Sequence, residues 1–428
     1  MAAERLPRSV DTAIVGAGQA GLAMSWYLGR AGREHVLLER RELLGGGWRD
    51  RWDDFQLVSP NWTTSMPGFP YDGGAPDEFM PRDEIAGRIA RYADAIHAPV
   101  VPGTTVEQLS ARDGGFLLRT NRGSLKARSV VVATGGFQYP RMPGLAAALP
   151  YRITRLHSHD YRRESALPPG AVLVVGSGQT GAQLAEELHE AGRRVYLAVG
   201  SAGRMARRYR GRDIFWWMKQ VFERGPEYGI EMPTIETIPD PKLRFAANPH
   251  LSGHGGGHET NLRRMAAGGI TLLGHLDRID GERISLRPDL SESLARADGF
   301  FAARFQGPID TYIERTCMEV PPDDRQPFDF EPPQTLELDL SKAGISTVIW
   351  ASGYRMDFSW VHLPIFDEYG VPRNDRGVSE VPGLYFIGLL WLRNMLSASL
   401  LGIGPDARHL AGRMGLITAD EAEQTRPG

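Results

Sequence analysis

The sequence predicts an α/β chain of two three-layer units of parallel sheet and helix, the second inserted into the first. Three observations predict it. An apolar run, a glycine-rich turn in GxGxxG spacing and an apolar helical stretch follow one another at the N-terminus. The same succession returns with its first glycine at position 176. Short strand-plus-glycine segments at Val130–Gly135, Val348–Gly353 and Gly383–Gly388 then read as returns of the chain to the edges of such units. A length of 428 residues, 42% of them hydrophobic, suits two to three domains.

In the first unit Thr12–Val15 reads as a buried strand and Leu22–Leu28 as a helix, with GAGQAG between them. Gly16 allows the tight strand-to-helix turn, Gly18 lets a pyrophosphate approach the backbone, and Gly21 lets helix and strand pack closely. The phosphates belong at the helix N-terminus, where free N–H groups and the helix dipole favour an anion. Gly16, Gly18, Gln19, Ala20 and Gly21 are therefore candidate ligands of a dinucleotide. A second strand, His35–Leu38, ends in Glu39, 23 residues after Gly16. A carboxylate there accepts from a ribose 2′-OH, and Arg40 follows it at the same edge. Thr134 and Gly135 close the site.

The second unit repeats this Rossmann-like pattern: strand Ala171–Val175, the turn Gly176, Ser177, Gly178, Gln179, Thr180 and Gly181, a helical Ala182–Ala191, and the strand Arg194–Ala198. The equivalent count ends at Val199 rather than an acid, followed by Ser201 and by arginines 204, 207, 208, 210 and 212. Without the acid a 2′-phosphate meets no repulsion, and Ser201 with the arginines supplies donors and positive charge. This favours NADPH over NADH. Arg204 and Arg207 are the preferred pair, although spacing does not settle which arginine reaches the phosphate. Ser352, Gly353 and Gly388 belong to the late edges. The expected division is a discontinuous first domain over 1–150 and 335–428, and a second over 151–334 with an irregular insert at about 205–330.

Composition excludes several classes. A net charge of −3 gives no general grip on nucleic acid or an anionic membrane. The apolar runs are strand-length, short of the roughly 20 residues that span a bilayer, and the first comes too early and is too short for a signal peptide. A soluble cytoplasmic protein is expected. Cys317 is the only cysteine, so no intrachain disulfide and no CxxC redox pair can form. Redox chemistry must therefore belong to bound cofactors.

These residues resemble the two-dinucleotide-domain flavoproteins, and within them the flavin-containing monooxygenases. GAGQAG resembles that family's FAD fingerprint and GSGQTG its NADPH fingerprint. Gly46, Gly47 and Trp48 look like its flavin-side GGxW segment. Tyr151–Tyr161, YRITRLHSHDY, is similar to its FxGxxxHSxxY signature: His157, Ser158 and Tyr161 match, while Tyr151 replaces the phenylalanine and Ile153 the glycine. The resemblance covers about residues 10–200 and 345–410. It implies FAD and NADPH as cofactors and O₂ and a small organic molecule as substrates. Oxygen would be transferred from a flavin C4a adduct, to nitrogen or sulfur in preference to Baeyer–Villiger insertion. It also implies Asn61 in VSPNWTT beside flavin and nicotinamide, His157 among the cofactor-binding residues, and a homodimer. For Asn61 a plain turn role after Pro60 stands equally open. Two rivals remain: an NADPH-dependent flavin reductase or oxidase that makes only H₂O₂, and a flavin-holding redox sensor.

Other segments carry weaker signals. Asp213–Phe222, DIFWWMKQVF, reads as a helix packed on its own domain. His250, His254 and His258 sit among four glycines, where a flap over the nicotinamide is a better reading than a metal site, and no metal is expected. Pro321–Pro333 reads as a linker back to the first domain. Leu400, Leu401 and Gly402 read as the start of a helix with its positive end toward the flavin. The tail from Ala419 is polar and lacks an apolar anchor.

Overall fold

The computed structural model describes residues 6–423. The first domain is organised by parallel strands in the spatial order Leu384–Phe386, Gly123–Val132, Ser9–Val15, His35–Leu38 and Val100–Val101. The second repeats the scheme with Thr271–Leu273, Val195–Ala198, Ala171–Val175, Ile345–Trp350 and Thr154–His157, all parallel. Covered on both faces, these strands read as unbroken apolar runs. Val130–Val132 and Val172–Val174 are fully buried. Each glycine-rich turn joins a central strand to a helix, Gln19–Arg30 in one domain and Gln179–Glu190 in the other.

The expected return to the first domain at residue 335 is corrected by this pairing. The segment around Pro321–Pro333 is irregular, as expected, but leads to Glu337–Asp339 and Ile345–Trp350, which belong to the second domain. The crossing lies near the ribbon that pairs Tyr354–Arg355 with Tyr139–Pro140. The insert is also more ordered than expected. It contributes the third parallel strand, Thr271–Leu273, and the helices Leu290–Phe301 and Gly307–Arg315. A strand of three residues behind Gly268 and Gly269 is too short to show a period.

The aromatic block forms the helix Ile214–Lys219, capped by the Asp213 carboxylate accepting from Phe215 N at 2.8 Å. Trp217 is fully buried, and its indole N–H donates to Tyr209 O at 2.7 Å. The packing extends beyond its own domain, because the same apolar cluster takes in Leu396, Leu401 and Trp62.

The glycine-rich stretch around His254 is a joint between the domains rather than a flap. A Cβ on Gly253 would lie 1.7 Å from Leu57 O, and one on Gly257 2.4 Å from the Phe79 ring. Arg207 locks this joint. Its buried guanidinium donates to Val58 O at 2.7 Å and Ser252 O at 3.2 Å, and pairs with Asp213 at 3.1 Å. It also lies over Phe79 and Phe215. Among the described residues no cluster of side chains suits a metal ion, and no helix is long and apolar enough to cross a membrane. The polar tail is helical over Ala419–Glu423, and residues beyond 423 lie outside the described part.

Tyr161, from the signature segment, is buried against the second domain and donates to Glu187 Oε1 at 2.8 Å. Burial pushes the Glu187 carboxyl up to about 7. A raised acid is easier to keep protonated in the folded chain than in the unfolded one. Stability is therefore lost as pH rises from the unfolded value near 4.5 through 7. Glu187→Gln keeps an acceptor for Tyr161 and removes the charge. It is expected to gain about 1 kcal/mol over the native protein at pH 8 and nothing at pH 4. Thermal unfolding at the two pH values checks this, and an equal change at both would contradict it.

Candidate active site

The residues around the first glycine-rich turn converge on one cradle. Gly16 has φ +106°, and a Cβ there would lie 2.6 Å from Ala133 O, so no other residue fits. A Cβ on Gly21 would meet Gly16 O at 2.0 Å, whereas one on Gly18 meets nothing within 4 Å. That open space lies at the N-cap of Gln19–Arg30, a helix with no side-chain cap. Its orphan N–H groups are thus left for an anion. The Glu39 carboxylate is buried, with Oε2 accepting from Ala17 N at 2.8 Å and Oε1 from Arg41 N at 3.0 Å. These bonds fix the acid at the strand end while each oxygen keeps a lone pair for a ribose hydroxyl. Arg40 is exposed beside it.

The late segments close the cradle from the other side. Gly388 has φ +76°, and a Cβ on it would lie 2.8 Å from the Ala20 Cβ. The Gln19 amide bridges two other elements: Oε1 accepts from Trp48 Nε1 at 2.8 Å and Nε2 donates to Ala398 O at 3.1 Å. Ala398 holds φ +71°, a strained value for a residue with a side chain. Sequence reasoning missed Ala398, because an irregular loop shows no period and alanine shows no chemistry. The helix after it begins at Leu400 as expected, capped by Ser399 Oγ accepting from Gly402 N at 3.1 Å. Leu401 is buried at its start. Gly47 is exposed and Gly46 turns the chain with φ +59°. Thr134 and Gly135 are tied to Gln138, whose amide N–H donates to Thr134 Oγ1 at 3.0 Å and Gly135 O at 2.9 Å.

The second turn has the same construction. Gly176 has φ +102° with Ala351 O 2.7 Å from a Cβ placed on it, and a Cβ on Gly181 would lie 1.8 Å from Gly176 O. The helix carrying Gln179 and Thr180 is again without a side-chain cap. The Ser177 hydroxyl is turned inward, accepting from Gly200 N at 2.9 Å, which ties the turn to the strand end where Ser201 is exposed. Ala247 lies over Gly178, 3.4 Å from a Cβ built there. Ser352 and Gly353 flank this second turn; the Ser352 hydroxyl donates to Arg141 O at 2.5 Å.

Three of the expected cofactor ligands have partners within the protein. Arg207 is committed to the domain joint. Arg204 pairs with Glu259 and, at 3.0 Å, with Asp298. Neither guanidinium is therefore a spare cation at the strand end. His157 is bonded at both ring nitrogens. Its Nδ1 accepts from His159 N at 3.0 Å, so the ring proton sits on Nε2, which donates to Gly353 O at 2.9 Å. Burial lowers its pKa and keeps the ring neutral.

Asn61 starts the turn Asn61–Thr64, which packs against Leu400–Arg413. Its amide donates to Ala75 O at 3.0 Å, while the buried Oδ1 has no partner. Beside it, half-buried Trp62, Phe215 and Trp216 with buried Leu396 and Leu401 form an apolar wall.

The family description of the pyridine nucleotide-disulphide oxidoreductases matches residues 13–238, more than half of the chain. The chain belongs to this family. Within the family, an uncharacterized CzcO-like oxidoreductase of Geobacillus kaustophilus is 32% identical over 403 residues, covering 94% of this chain and 97% of the relative. Indole-3-pyruvate monooxygenase YUCCA1 of Oryza sativa is also 32% identical, covering 93% of this chain and 89% of its own. A flavin-containing monooxygenase of Stenotrophomonas maltophilia shares the fold. It superposes with a TM-score of 0.63 at 20% identity over 96% of this chain and 99% of that one. The chain is accordingly an enzyme of the flavin-dependent monooxygenase and oxidoreductase class. Family membership implies a flavin and a nicotinamide nucleotide, and the two uncapped turns, the open space at Gly18 and the placed Glu39 suit such groups. The family's disulphide chemistry needs a sulfur pair that this chain lacks, since Cys317 is its only cysteine and is exposed.

Proposed function

We propose that the protein is an FAD- and NADPH-dependent monooxygenase that oxygenates a small organic molecule, with nitrogen or sulfur favoured over carbon. The observation that carries this reading is two intact dinucleotide cradles in a chain with one exposed cysteine. Electrons passed between two dinucleotides then have no protein disulfide to reach and need an acceptor from solution, and the monooxygenase relative favours O₂ in that role. The bound cofactors supply hydride transfer and the reaction with oxygen. The chain supplies the rest. Glu39 and the turn at Gly18 hold the FAD nucleotide, while Gln19 and Trp48 position its flavin end. The wall of Trp62, Phe215 and Trp216 keeps water from the reacting centre.

NADPH is favoured because Val199 stands where Glu39 stands in the first domain, with Ser201 exposed next to it. Since Arg204 is paired with two acids, a 2′-phosphate would have to displace one of them. Rapid-mixing reduction of the holoprotein tests this point: kcat/KM for NADPH should exceed that for NADH at least tenfold, and an equal or better NADH would remove it. A second reading has one specific support. The name of the rice relative gives it a keto acid as substrate, which favours attack at or beside a carbonyl.

A further inference from the structure

The two glycine-rich turns differ in what stands over them. At Gly18 nothing lies within 4 Å of an added Cβ, whereas at Gly178 the Ala247 methyl lies 3.4 Å from it. Gly178 is the N-cap of the uncapped helix Gln179–Glu190, so its open side is where a pyrophosphate reaches the backbone. A single methyl group fills that gap at ordinary contact distance. A phosphate is larger than a methyl group, so no pyrophosphate enters past Ala247. Ala247 belongs to a strap between two fixed posts. At one end, in the first domain, Ile235 N donates to Arg393 O at 2.9 Å and Thr234 bridges to Asn394. At the other, in the second domain, fully buried His250 donates its backbone N–H to Gly203 O at 2.7 Å.

Between the posts the strap is held by side chains rather than by a core. None of residues 236–248 is buried, and from 239 to 248 all but Leu243 and Arg244 are exposed. Its regular structure is one short turn, Pro241–Phe245, capped by Asp240. A cavity of about 240 Å³, lined by Ile235, Arg244 and Leu389–Leu392, lies behind it, so lifting the strap breaks little close packing. The clasp is made on the first domain. Arg244 Nη2 donates to Asp367 Oδ2 at 2.5 Å, and the guanidinium lies over the Tyr369 ring, 5.2 Å from its centroid. Phe245 meets the same ring at 5.8 Å, and Glu236 accepts from Arg376 Nε at 2.8 Å. Closure leaves Arg244 Nε buried without an acceptor, and opening returns that donor to water. A segment with few buried contacts, held by partly exposed ion pairs, opens locally with little loss of free energy.

We propose that the strap 236–248 is a lid on the second cradle: closed, Ala247 bars the pyrophosphate, and the nicotinamide nucleotide binds only after the Arg244–Asp367 clasp opens. The proposal rests on the second turn taking that nucleotide. It separates the two cofactors, with an uncovered turn for the one that stays and a covered turn for the one that exchanges. A closed lid lowers apparent affinity by the fraction of molecules that are open. Weakening the clasp therefore tightens binding, the opposite of what structural damage does. Calorimetric titration of the FAD-loaded protein with NADP⁺ and with NAD⁺, without turnover, tests this on the native chain, Asp367→Asn and Arg244→Met. The Asp367→Asn change keeps an acceptor for Tyr369 N and Val371 N and removes the charge that faces Arg244. Both variants should bind the preferred nucleotide at least threefold more tightly, with flavin content unchanged. Trypsin cleavage after Lys242, read by mass spectrometry, should be at least threefold faster in Asp367→Asn, and saturating nucleotide should raise it in the native chain. Unchanged or weaker binding in either folded variant, or native cleavage at Lys242 indifferent to nucleotide, would overturn the lid. Failure of both nucleotides to bind any of the three proteins would instead overturn the reading of the second turn as a nicotinamide site, and the lid with it.

Discussion

Arg207→Met is expected to destabilise the protein by about 3–5 kcal/mol, because it removes one partner of a buried ion pair. The native guanidinium satisfies Val58 O in the first domain, and Ser252 O and Asp213 in the second. Methionine keeps the stem volume between Phe79 and Phe215 but leaves the Asp213 carboxylate, largely buried, without its cation. That carboxylate also caps the helix Ile214–Lys219, whose aromatic side chains form the apolar wall. The damage should therefore reach the site as well as the joint. Calorimetry should show a lower unfolding temperature for Arg207→Met and partial recovery in Arg207→Met/Asp213→Asn, where the stranded charge is gone. A single variant as stable as the native protein, or a double variant no better than the single, would contradict the role assigned to Arg207.

The second large effect separates two glycines of one turn. Gly21→Ala places a methyl group 2.0 Å from the carbonyl oxygen of Gly16. Backbone cannot move aside as a side chain can, so the strand–helix unit should fail to pack and the protein should be recovered unfolded or without flavin. Gly18→Ala meets nothing within 4 Å, and its φ of −77° suits alanine. The apoprotein should fold with an unchanged unfolding temperature. The methyl group, however, occupies the approach to the helix N-terminus, and FAD affinity should fall at least a hundredfold. Flavin fluorescence titration of the apoprotein measures it. A Gly18→Ala protein that holds FAD as the native chain does would place the pyrophosphate elsewhere.

The same contrast explains what the sequence could and could not convey. Glycine spacing is dictated by covalent geometry within a few residues, so both turns, their strands and Glu39 were legible from order alone. The arginines were legible only as charge. Whether Arg204 and Arg207 face a phosphate or an acid depends on Glu259, Asp298, Asp213 and Val58, and no local pattern links those positions to them. The partner of His157 was hidden in the same way: the Gly353 carbonyl comes from the segment after the strand Ile345–Trp350, far along the chain. The boundary at 335 failed because Ile345–Trp350 has the apolar pattern of a central parallel strand, which fits either sheet equally well. At Asn61 the order of residues could not show that the amide is held by Ala75 O, which comes from a loop 14 residues further on.

The measurement that bears most directly on oxygen transfer is the fate of isotopically labelled O₂. The holoprotein is supplied with NADPH, ¹⁸O₂ and a panel of amines, sulfides and aromatic ketones and acids, and products are read by mass spectrometry alongside NADPH consumed and H₂O₂ released. A monooxygenase places one ¹⁸O atom in an organic product and releases less H₂O₂ than the NADPH it consumes. Stoichiometric H₂O₂ with every compound, and no label in any of them, would contradict oxygenation and leave a flavin oxidase or reductase.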